Sequence, residues 1–343
     1  MSTSDQEMQK AGEGAKRRSI FTPRTQRLLS IGFVAILLIC AAVAPFRLSG
    51  YWVRVLTGMF MYAALASSLN IILGYTGYAD FGNIVYFGMG AYVTGVLMVT
   101  WRVPLPLAML AGGLFCSLFA IIIGLPILRL KGNYFAIATL GLSQAMREIV
   151  RNMRITGGGM GLSLPLLRVD PRVFNLIVYF MMLGILAGVV IISYVVSHSR
   201  FGYGLRAIKA DENGAAVMGI DTTKWKVRAW AITAFCTGIV GGAYAFWFVY
   251  FTPPDVFEIL MSTKYLVMVY LGGIGTVAGP VIGAFLLEFI SDYVWGRFLQ
   301  IHVGVLGAAI VLIVLFMPKG FIHMVRSRIL PLLTRAGAHE ERS

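Results

Sequence analysis

The chain has 343 residues, of which 58% are hydrophobic and only 13% are charged, and its mean hydropathy is +0.79. Soluble domains hold apolar residues at roughly half of their positions or fewer, so this composition excludes an ordinary soluble protein and indicates several membrane spans. The formal net charge of +14 does not indicate nucleic-acid binding, because the lysines and arginines cluster at the ends of apolar runs.

The apolar runs predict an all-α, polytopic transmembrane protein. Crossing a hydrocarbon core of about 30 Å takes roughly 20 helical residues, and seven runs qualify clearly: 28–46, 52–73, 83–100, 105–128, 174–196, 227–250 and 303–317. The shorter run 134–150 is interpreted as a short span. The run 262–293 is too long for one span and is interrupted by GGIGTVAGP, so we expect two short, broken helices there. The prediction is therefore about ten spans.

The basic residues predict the orientation of these spans. In a ten-span arrangement the N-terminal segment, the loop with Arg129 and Lys131, the polar segment 197–226 and the C-terminal tail fall on one side, which the positive-inside rule makes cytoplasmic. We expect 1–27 to be a cytoplasmic, disordered segment, 28–318 the transmembrane domain with an uncleaved first span, and 319–343 a cytoplasmic tail. The loop 151–172 is also rich in arginine but faces outward, where its charges would meet a binding protein or only solvent.

Catalytic chemistry finds no support in the residue pattern. Cysteines and histidines lie apart from one another, without the spacing of a metal site, a disulfide framework or a nucleophile and its base. No G-x-x-x-x-G-K-[ST] sequence occurs, so no ATPase site is expected in this chain. The sequence predicts neither an enzyme nor a bound metal or cofactor.

Neutral polar residues within the predicted spans are candidates for a translocation path. They are Asn70, Asn83, Thr139 and Gln144, and the alternative is that each only bonds to a neighbouring helix. Ionisable residues at membrane depth are costly and usually functional. Because the middles of the predicted spans hold almost none, the pattern favours a conduit for a small zwitterionic or uncharged solute over a proton-driven pump.

Glycines predict two helix breaks. One set interrupts the junction between the second and third spans and the other interrupts the run 262–293; the residues are Gly74, Gly77, Gly82, Gly272, Gly273, Gly275 and Gly279. Irregular backbone at membrane depth is tolerated where it is buried in protein or lines a pathway. The second break is expected near the cytoplasmic face, beside an inner gate or an ATPase contact. The alternative reading of these glycines is close helix packing.

Four segments occur in an order that matches a known family: SLNIILGYTGYADFGNIVYFGMGAY (68–92), GNYFAIATLGLSQAMREIVRNMRITGGGMGLSLP (132–165), SRFGYGLRAIKADENGAAVMGID (199–221) and YLGGIGTVAGPVIGA (270–284). Over most of residues 50–318 the chain resembles the longer, M-type permease subunit of branched-chain amino acid ABC importers. The resemblance implies five parts: two permeases, which it favours as a heterodimer, two cytoplasmic ATPases, and a periplasmic or extracellular solute-binding protein.

The resemblance also implies a role for the polar segment 197–226. In such permeases a cytoplasmic loop with the pattern E-x-[AG]-A-x-x-x-G docks on the ATPase, and here the pattern begins at Glu212 and includes Gly214, Ala215 and Gly219. Helical spacing relates Arg206 to Asn213, and Gly219 is suited to end a helix with a left-handed residue. Gly214 stands where alanine is more usual and is expected to weaken the helix by up to about 1 kcal/mol. The alternative is a basic loop that only obeys the positive-inside rule.

The sequence therefore predicts the permease subunit of an ATP-driven importer for branched-chain or related small apolar amino acids. It would be a multi-pass protein of the bacterial inner membrane with both termini in the cytoplasm. The urea importer permease shares the same motifs, and small carboxylates are a further substrate class. From a different class, a stand-alone secondary transporter or channel remains an alternative.

Overall fold

A computed structural model of the chain describes residues 44–130, 132–165 and 169–295. The chain divides into two units, Met1–Ser49 and Gly50–Ser343, and the first contributes only one helical turn, 44–47, to the described residues. The predicted span 303–317, the predicted C-terminal tail and all but the last three residues of the predicted span 28–46 lie outside them. So does the predicted N-terminal segment.

The described part of the second unit is almost entirely helical, which confirms the predicted fold class. Helices α1 to α11 are, in chain order, Gly50–Thr76, Ile84–Thr100, Leu105–Ile127, Asn133–Asn152, Pro171–His198, Arg200–Ala210, Glu212–Val217, Thr222–Phe248, Pro253–Val256, Ile259–Gly272 and Gly279–Trp295. Short 3-10 turns occur at Phe81–Asn83, Arg154–Thr156 and Gly158–Met160. Two strands, Leu162–Ser163 (β1) and Tyr250–Phe251 (β2), pair in antiparallel fashion.

Five described helices are long and apolar enough to cross a membrane: α1, α2 together with its preceding 3-10 turn, α3, α5 and α8. They coincide with five of the predicted spans. The run 262–293 forms the two short helices α10 and α11, of 14 and 17 residues, with 273–278 between them. Helix α4 is long enough at 20 residues but is not among the five, because its polar and charged side chains make it too hydrophilic.

Helix α8 lies at the centre of the bundle and packs against α1, α2, α3 and α5. Its glycines allow backbone-to-backbone contact: a Cβ atom on Gly90 of α2 would collide with the carbonyl of Gly238, and one on Gly241 would collide with the carbonyl of Phe87. Small residues let two helix backbones approach closely, which strengthens the van der Waals attraction between the helices. Glycine therefore permits the close approach of α2 and α8.

The ends of the helices gather on two opposite sides of the bundle. At one side, which we call the α6 end, Lys209 of α6 reaches the C-terminal turns of α1, where its Nζ donates to the Gly74 carbonyl at 2.9 Å. At the other side, the α9 end, Tyr51 at the start of α1 donates to Asp292 near the end of α11 at 2.9 Å. The β1–β2 pair also lies at the α9 end, where Gly95 near the end of α2 packs on Leu162.

Apart from the 3-10 turn Phe81–Asn83, the chain between α1 and α2 is irregular, and it crosses about half of the bundle. Three contacts with α8 mark its course: Tyr78 meets Lys226, Asp80 meets Trp230, and Asn83 meets Thr237. The eleven residue steps of α8 from Lys226 to Thr237 span about 16 Å, and Asn83 is fully buried. Helix α2 therefore begins deep inside the protein.

Candidate functional site: the segment 197–226 and the chain breaks beside it

The segment 197–226 forms two short helices at the α6 end. Ser199 caps α6 by accepting from the Gly202 amide at 3.2 Å. Asp211 has an extended backbone, φ −157° and ψ 111°, and caps α7 by accepting from the Asn213 amide at 3.0 Å. The helical spacing that relates Arg206 to Asn213 in the sequence is therefore interrupted, because Asp211 ends one helix and starts the next.

Helix α7 ends as the glycine pattern suggests. Gly219 has φ +88°, its amide donates to the Ala216 carbonyl at 3.0 Å, and the Ile220 amide donates to the Ala215 carbonyl at 3.1 Å. These two bonds define a Schellman motif with a left-handed glycine. Gly214 also has a local explanation, since a Cβ atom there would lie 2.8 Å from Oδ2 of Asp211, the residue that caps the helix.

A buried ion pair attaches α7 to the bundle. Lys226, near the start of α8, is 1% exposed, and its Nζ donates to Oε1 of Glu212 at 2.7 Å, to the Tyr78 hydroxyl at 2.9 Å and to the Leu128 carbonyl at 3.0 Å. Tyr78 in turn donates to Oε2 of Glu212 at 2.7 Å. A buried ammonium group is tolerated only when its donors are satisfied, and here all three have acceptors.

This cluster joins four elements of the chain. Glu212 belongs to α7, Tyr78 to the chain that follows α1, Leu128 to the end of α3 and Lys226 to α8. The Lys226 ammonium also lies 4.4 Å from the centroid of the Tyr78 ring. A displacement of α7 would therefore act directly on the ends of three apolar helices. Burial and the bond to Glu212 raise the pKa of Tyr78 above its usual range, so its hydroxyl stays a donor.

Helix α6 is attached to α1 by two basic side chains. Lys209 Nζ donates to the Gly74 carbonyl, one of the C-terminal acceptors that an α-helix leaves without an internal partner, and burial lowers the pKa of this amine. Arg206 Nη2 donates to Ser197 Oγ at 2.6 Å, and its guanidinium lies 5.4 Å from the centroid of the Tyr75 ring. Gly77, with φ +80°, packs against the stem of Lys209.

The two sets of predicted break glycines meet beside these contacts. Asn70 of α1 accepts from the Gly275 amide at 2.9 Å and donates to the Thr276 carbonyl at 2.8 Å. A Cβ atom on Gly74 would collide with the Asn70 side chain and would lie 2.9 Å from the Gly275 nitrogen. The chain between α10 and α11 therefore packs onto α1. Its other predicted glycines, Gly272, Gly273 and Gly279, make the close turn itself, with φ +123° at Gly273.

The four candidate path residues are not brought together. Asn70 holds the 273–278 loop, and Asn83 is buried in the core, where its Oδ1 accepts from Thr237 Oγ1 at 3.1 Å and from the Tyr265 hydroxyl at 3.3 Å. Thr139 bonds to the Ala136 carbonyl of its own helix, and its backbone packs against Gly82. Gln144 lines an open cleft at the α9 end.

Sequence reasoning missed two ion pairs. Lys226 belongs to the polar segment 197–226, which the sequence predicts to lie outside the membrane spans, and the structure buries its side chain. The second pair joins Lys264 of α10 to Glu288 of α11, with 2.6 Å between Nζ and Oε2 and both side chains less than one fifth exposed. The lysine also lies 4.4 Å from the centroid of the Tyr62 ring in α1. A single lysine within the apolar run MSTKYLVMVY was the available signal, since such a charge requires a partner.

The exposed C-terminal end of α7 is apolar. Val217 and Met218 are 87% and 84% exposed, although the same short helix turns Glu212 and the buried Ala215 toward the bundle. The two side chains are consecutive in the chain and lie on the side of the helix away from the buried Ala215. We call Val217 and Met218 the α7 tip.

The chain has apolar helices of membrane-spanning length and two helix breaks, with a polar segment held against the helix ends. These features define a polytopic membrane permease. The chain belongs to the family described as the permease component of branched-chain amino acid transport systems, whose model matches residues 51–315. It is 27% identical over 328 residues to the high-affinity branched-chain amino acid transport system permease proteins LivM of Salmonella typhimurium and Escherichia coli, covering 87% of this chain and 76% of each relative.

An archaeal protein is also similar. The probable branched-chain amino acid transport permease protein LivM of Methanocaldococcus jannaschii is 25% identical over 259 residues, which covers 65% of this chain and 75% of that relative. The family consists of transport permease subunits, so the expectation of a transport protein is confirmed.

Proposed function

We propose that this chain is the membrane-spanning subunit of an ATP-driven importer that carries branched-chain or related small apolar amino acids, and that α6 and α7 couple it to a separate ATPase. The observation that carries the proposal is the two-sided character of α7. Glu212 ties its inner side to Lys226 at 2.7 Å, while the α7 tip stands free on its outer side.

The contacts suggest how movement would be transmitted. An ATPase that binds the α7 tip would displace α7, and through the Glu212–Lys226 pair and Tyr78 this displacement would reach α8 and the chain between α1 and α2. Lys209 would transmit the movement of α6 to the end of α1 at Gly74, where the 273–278 loop also packs. Because packed interfaces shift between discrete arrangements, small displacements at this end would open or close the inner side of the path.

The remaining partners and the orientation belong to the same proposal. The importer would contain a second permease, forming a heterodimer, two ATPase subunits and a solute-binding protein, in the inner membrane of a bacterial cell. The α6 end would face the cytoplasm, as would both chain termini. The basic residues of α6 and its flanks support this orientation by the positive-inside rule.

The coupling assignment is tested at the α7 tip. Met218→Glu places a charge on a surface that is 84% exposed, so the chain should fold and insert normally but should no longer retain the ATPase subunits during purification. Met160→Glu is the matched control, because Met160 is also 84% exposed and lies at the α9 end. Normal retention of the ATPases by the Met218 variant would refute the docking role of α7.

Substrate class and energy source are tested separately. Purified solute-binding protein should bind leucine, isoleucine and valine; binding of urea in their place would show the substrate assignment to be wrong. Proteoliposomes that contain this chain without ATPase subunits should show no uptake, whereas uptake under those conditions would favour a secondary transporter or channel.

A further inference from the structure

An open cleft lies at the α9 end, on the opposite side of the bundle from α6 and α7. Helix α4 forms one wall through Gln144 and Arg147, and the other wall is the chain from α9 into α10, with Glu258 and Leu260. Its volume is about 440 Å³, which falls in the range of small-molecule sites. The position is where a solute arriving from the side opposite to the ATPases would first meet this chain.

The two walls carry opposite charges. Arg147 contributes a guanidinium group that, among the described residues, pairs with Glu148 at 3.5 Å on the exposed side of α4. Most of its five donors therefore remain available to a ligand. Of the acidic groups on the other wall, Asp255 is occupied, because its Oδ2 accepts from the amide and hydroxyl of Thr252. The Glu258 side chain makes no capping bond to α10 and is exposed, so its carboxylate is accessible to a ligand.

An apolar surface adjoins these charges. Leu260 is 64% exposed and lines the cleft beside Glu258, and Ile259 lies between them in the chain. A cation, an anion and an aliphatic side chain around one small cleft match the three chemical groups of an aliphatic α-amino acid. The ligand's carboxylate would bind the Arg147 guanidinium group, and its ammonium group would bind the Glu258 carboxylate. Its aliphatic side chain would pack on Leu260.

The exposed face of α4 near the cleft supports access from water. Glu148 and Arg151 extend from this face and form a 3.5 Å pair in which both side chains are about half exposed. Charged side chains on a lipid-facing surface at membrane depth are strongly unfavourable. This part of α4 therefore borders an aqueous space.

We propose that the cleft between α4 and the start of α10 is a transient receiving site for the zwitterion of an aliphatic amino acid, with Arg147 binding the carboxylate and Glu258 the ammonium group. The inference rests on the proposed function and adds to it a place where the permease itself contacts the solute. Both charges are partly exposed, so binding is weak and allows onward movement.

The test uses the complete importer in proteoliposomes with its loaded binding protein. Two quantities are measured: leucine taken up per ATP hydrolysed, and the concentration of binding protein that half-saturates ATPase stimulation. Arg147→Gln and Glu258→Gln should each lower uptake per ATP by about fivefold, as expected for one charge-assisted hydrogen bond in a partly exposed site, without changing the half-saturating concentration. Arg147→Lys should restore part of the uptake, because the cation is kept.

Arg102→Gln is the matched control, since it removes an exposed arginine at the same end, outside both the cleft and the loop 151–172, and it should leave both quantities unchanged. A rise in the half-saturating concentration with uptake per ATP unchanged would overturn the proposal and assign the cleft to docking of the binding protein. Two variants that behave like the unaltered importer would also overturn it. If the unaltered importer carries no leucine, the proposed function itself fails, which is a distinct outcome.

Discussion

The ammonium group of Lys226 lies 2.7 Å from the carboxylate of Glu212, and this pair fixes the direction in which α7 faces. Glu212 is the first residue of the family pattern, so the sequence alone suggested a residue presented to the ATPase. In the structure it is turned toward the bundle, and the surface that remains for a partner is formed by Val217 and Met218. Glu212 is thus placed to transmit movement rather than to make the outer contact.

Removing the two members of this pair should have unequal effects. Glu212→Ala leaves a fully buried ammonium group with only Tyr78 and Leu128 as acceptors, and loss of one partner of a buried pair costs about 3–5 kcal/mol. Lys226→Met leaves a carboxylate that is 20% exposed and still bonded to Tyr78, so it should cost less. Thermal unfolding in detergent should give the lower midpoint for Glu212→Ala. Equal midpoints would show that Glu212 and Lys226 do not form a stabilising pair. The same conclusion would follow if the Glu212→Ala, Lys226→Met double variant unfolded at a midpoint no higher than that of Glu212→Ala alone.

The end of α7 should be sensitive at Gly219 and tolerant at Gly214. Gly219→Ala forces a side chain into φ +88°, at a cost of about 1–2 kcal/mol, and should disturb the Schellman turn and lower transport-coupled ATPase activity. Gly214→Ala gains helix propensity of about 1 kcal/mol but crowds the Asp211 carboxylate and weakens a cap worth about 1 kcal/mol. The two effects offset each other, so this variant serves as the control. Greater loss of activity in the Gly214 variant would show that the turn at Gly219 is not the important feature.

Asn70 should control the loop between α10 and α11. Asn70→Leu removes the acceptor of the Gly275 amide and the donor to the Thr276 carbonyl, so amide hydrogen exchange should become faster in 273–278, with protection falling by roughly tenfold for about 1–2 kcal/mol. Thr139→Val is the control, because its hydroxyl bonds only within its own helix. Unchanged exchange in the loop would mean that packing alone holds it.

Much of the fold could be predicted because the bilayer fixes the length of a span. Hydropathy located α1, α3, α5 and α8 to within a few residues, and the glycines of GGIGTVAGP placed the break before α11. The side-chain partners were beyond sequence reasoning. Glu212 and Lys226 are separated by the turn at Gly219 and the start of α8, so their meeting depends on the path of that turn, which charge pattern does not specify.

The polar residues show the same limit. Asn70 and Asn83 were recognised as unusual within apolar runs, but a neutral amide in a span is equally suited to a helix contact and to a solute path, and only the packing of α10 and α8 reveals which backbone and hydroxyl groups face them. The sequence could not predict that Gln144 and Glu258 line the same cleft, because the two residues are more than one hundred positions apart in the chain.

Lys264 and Glu288 lead to the last prediction. Their ion pair lies between the two short helices, and the lysine also faces the ring of Tyr62, so Lys264→Met would leave Glu288 largely buried without a counterion, at a cost of about 3–5 kcal/mol. The variant should unfold at a lower temperature in detergent, and a further Glu288→Gln change should recover much of the loss, since it removes the unpaired charge. Asp292→Asn, which affects only an exposed bond to Tyr51, should change the midpoint little. A Lys264 variant as stable as this control would show that α10 and α11 are held together without the pair.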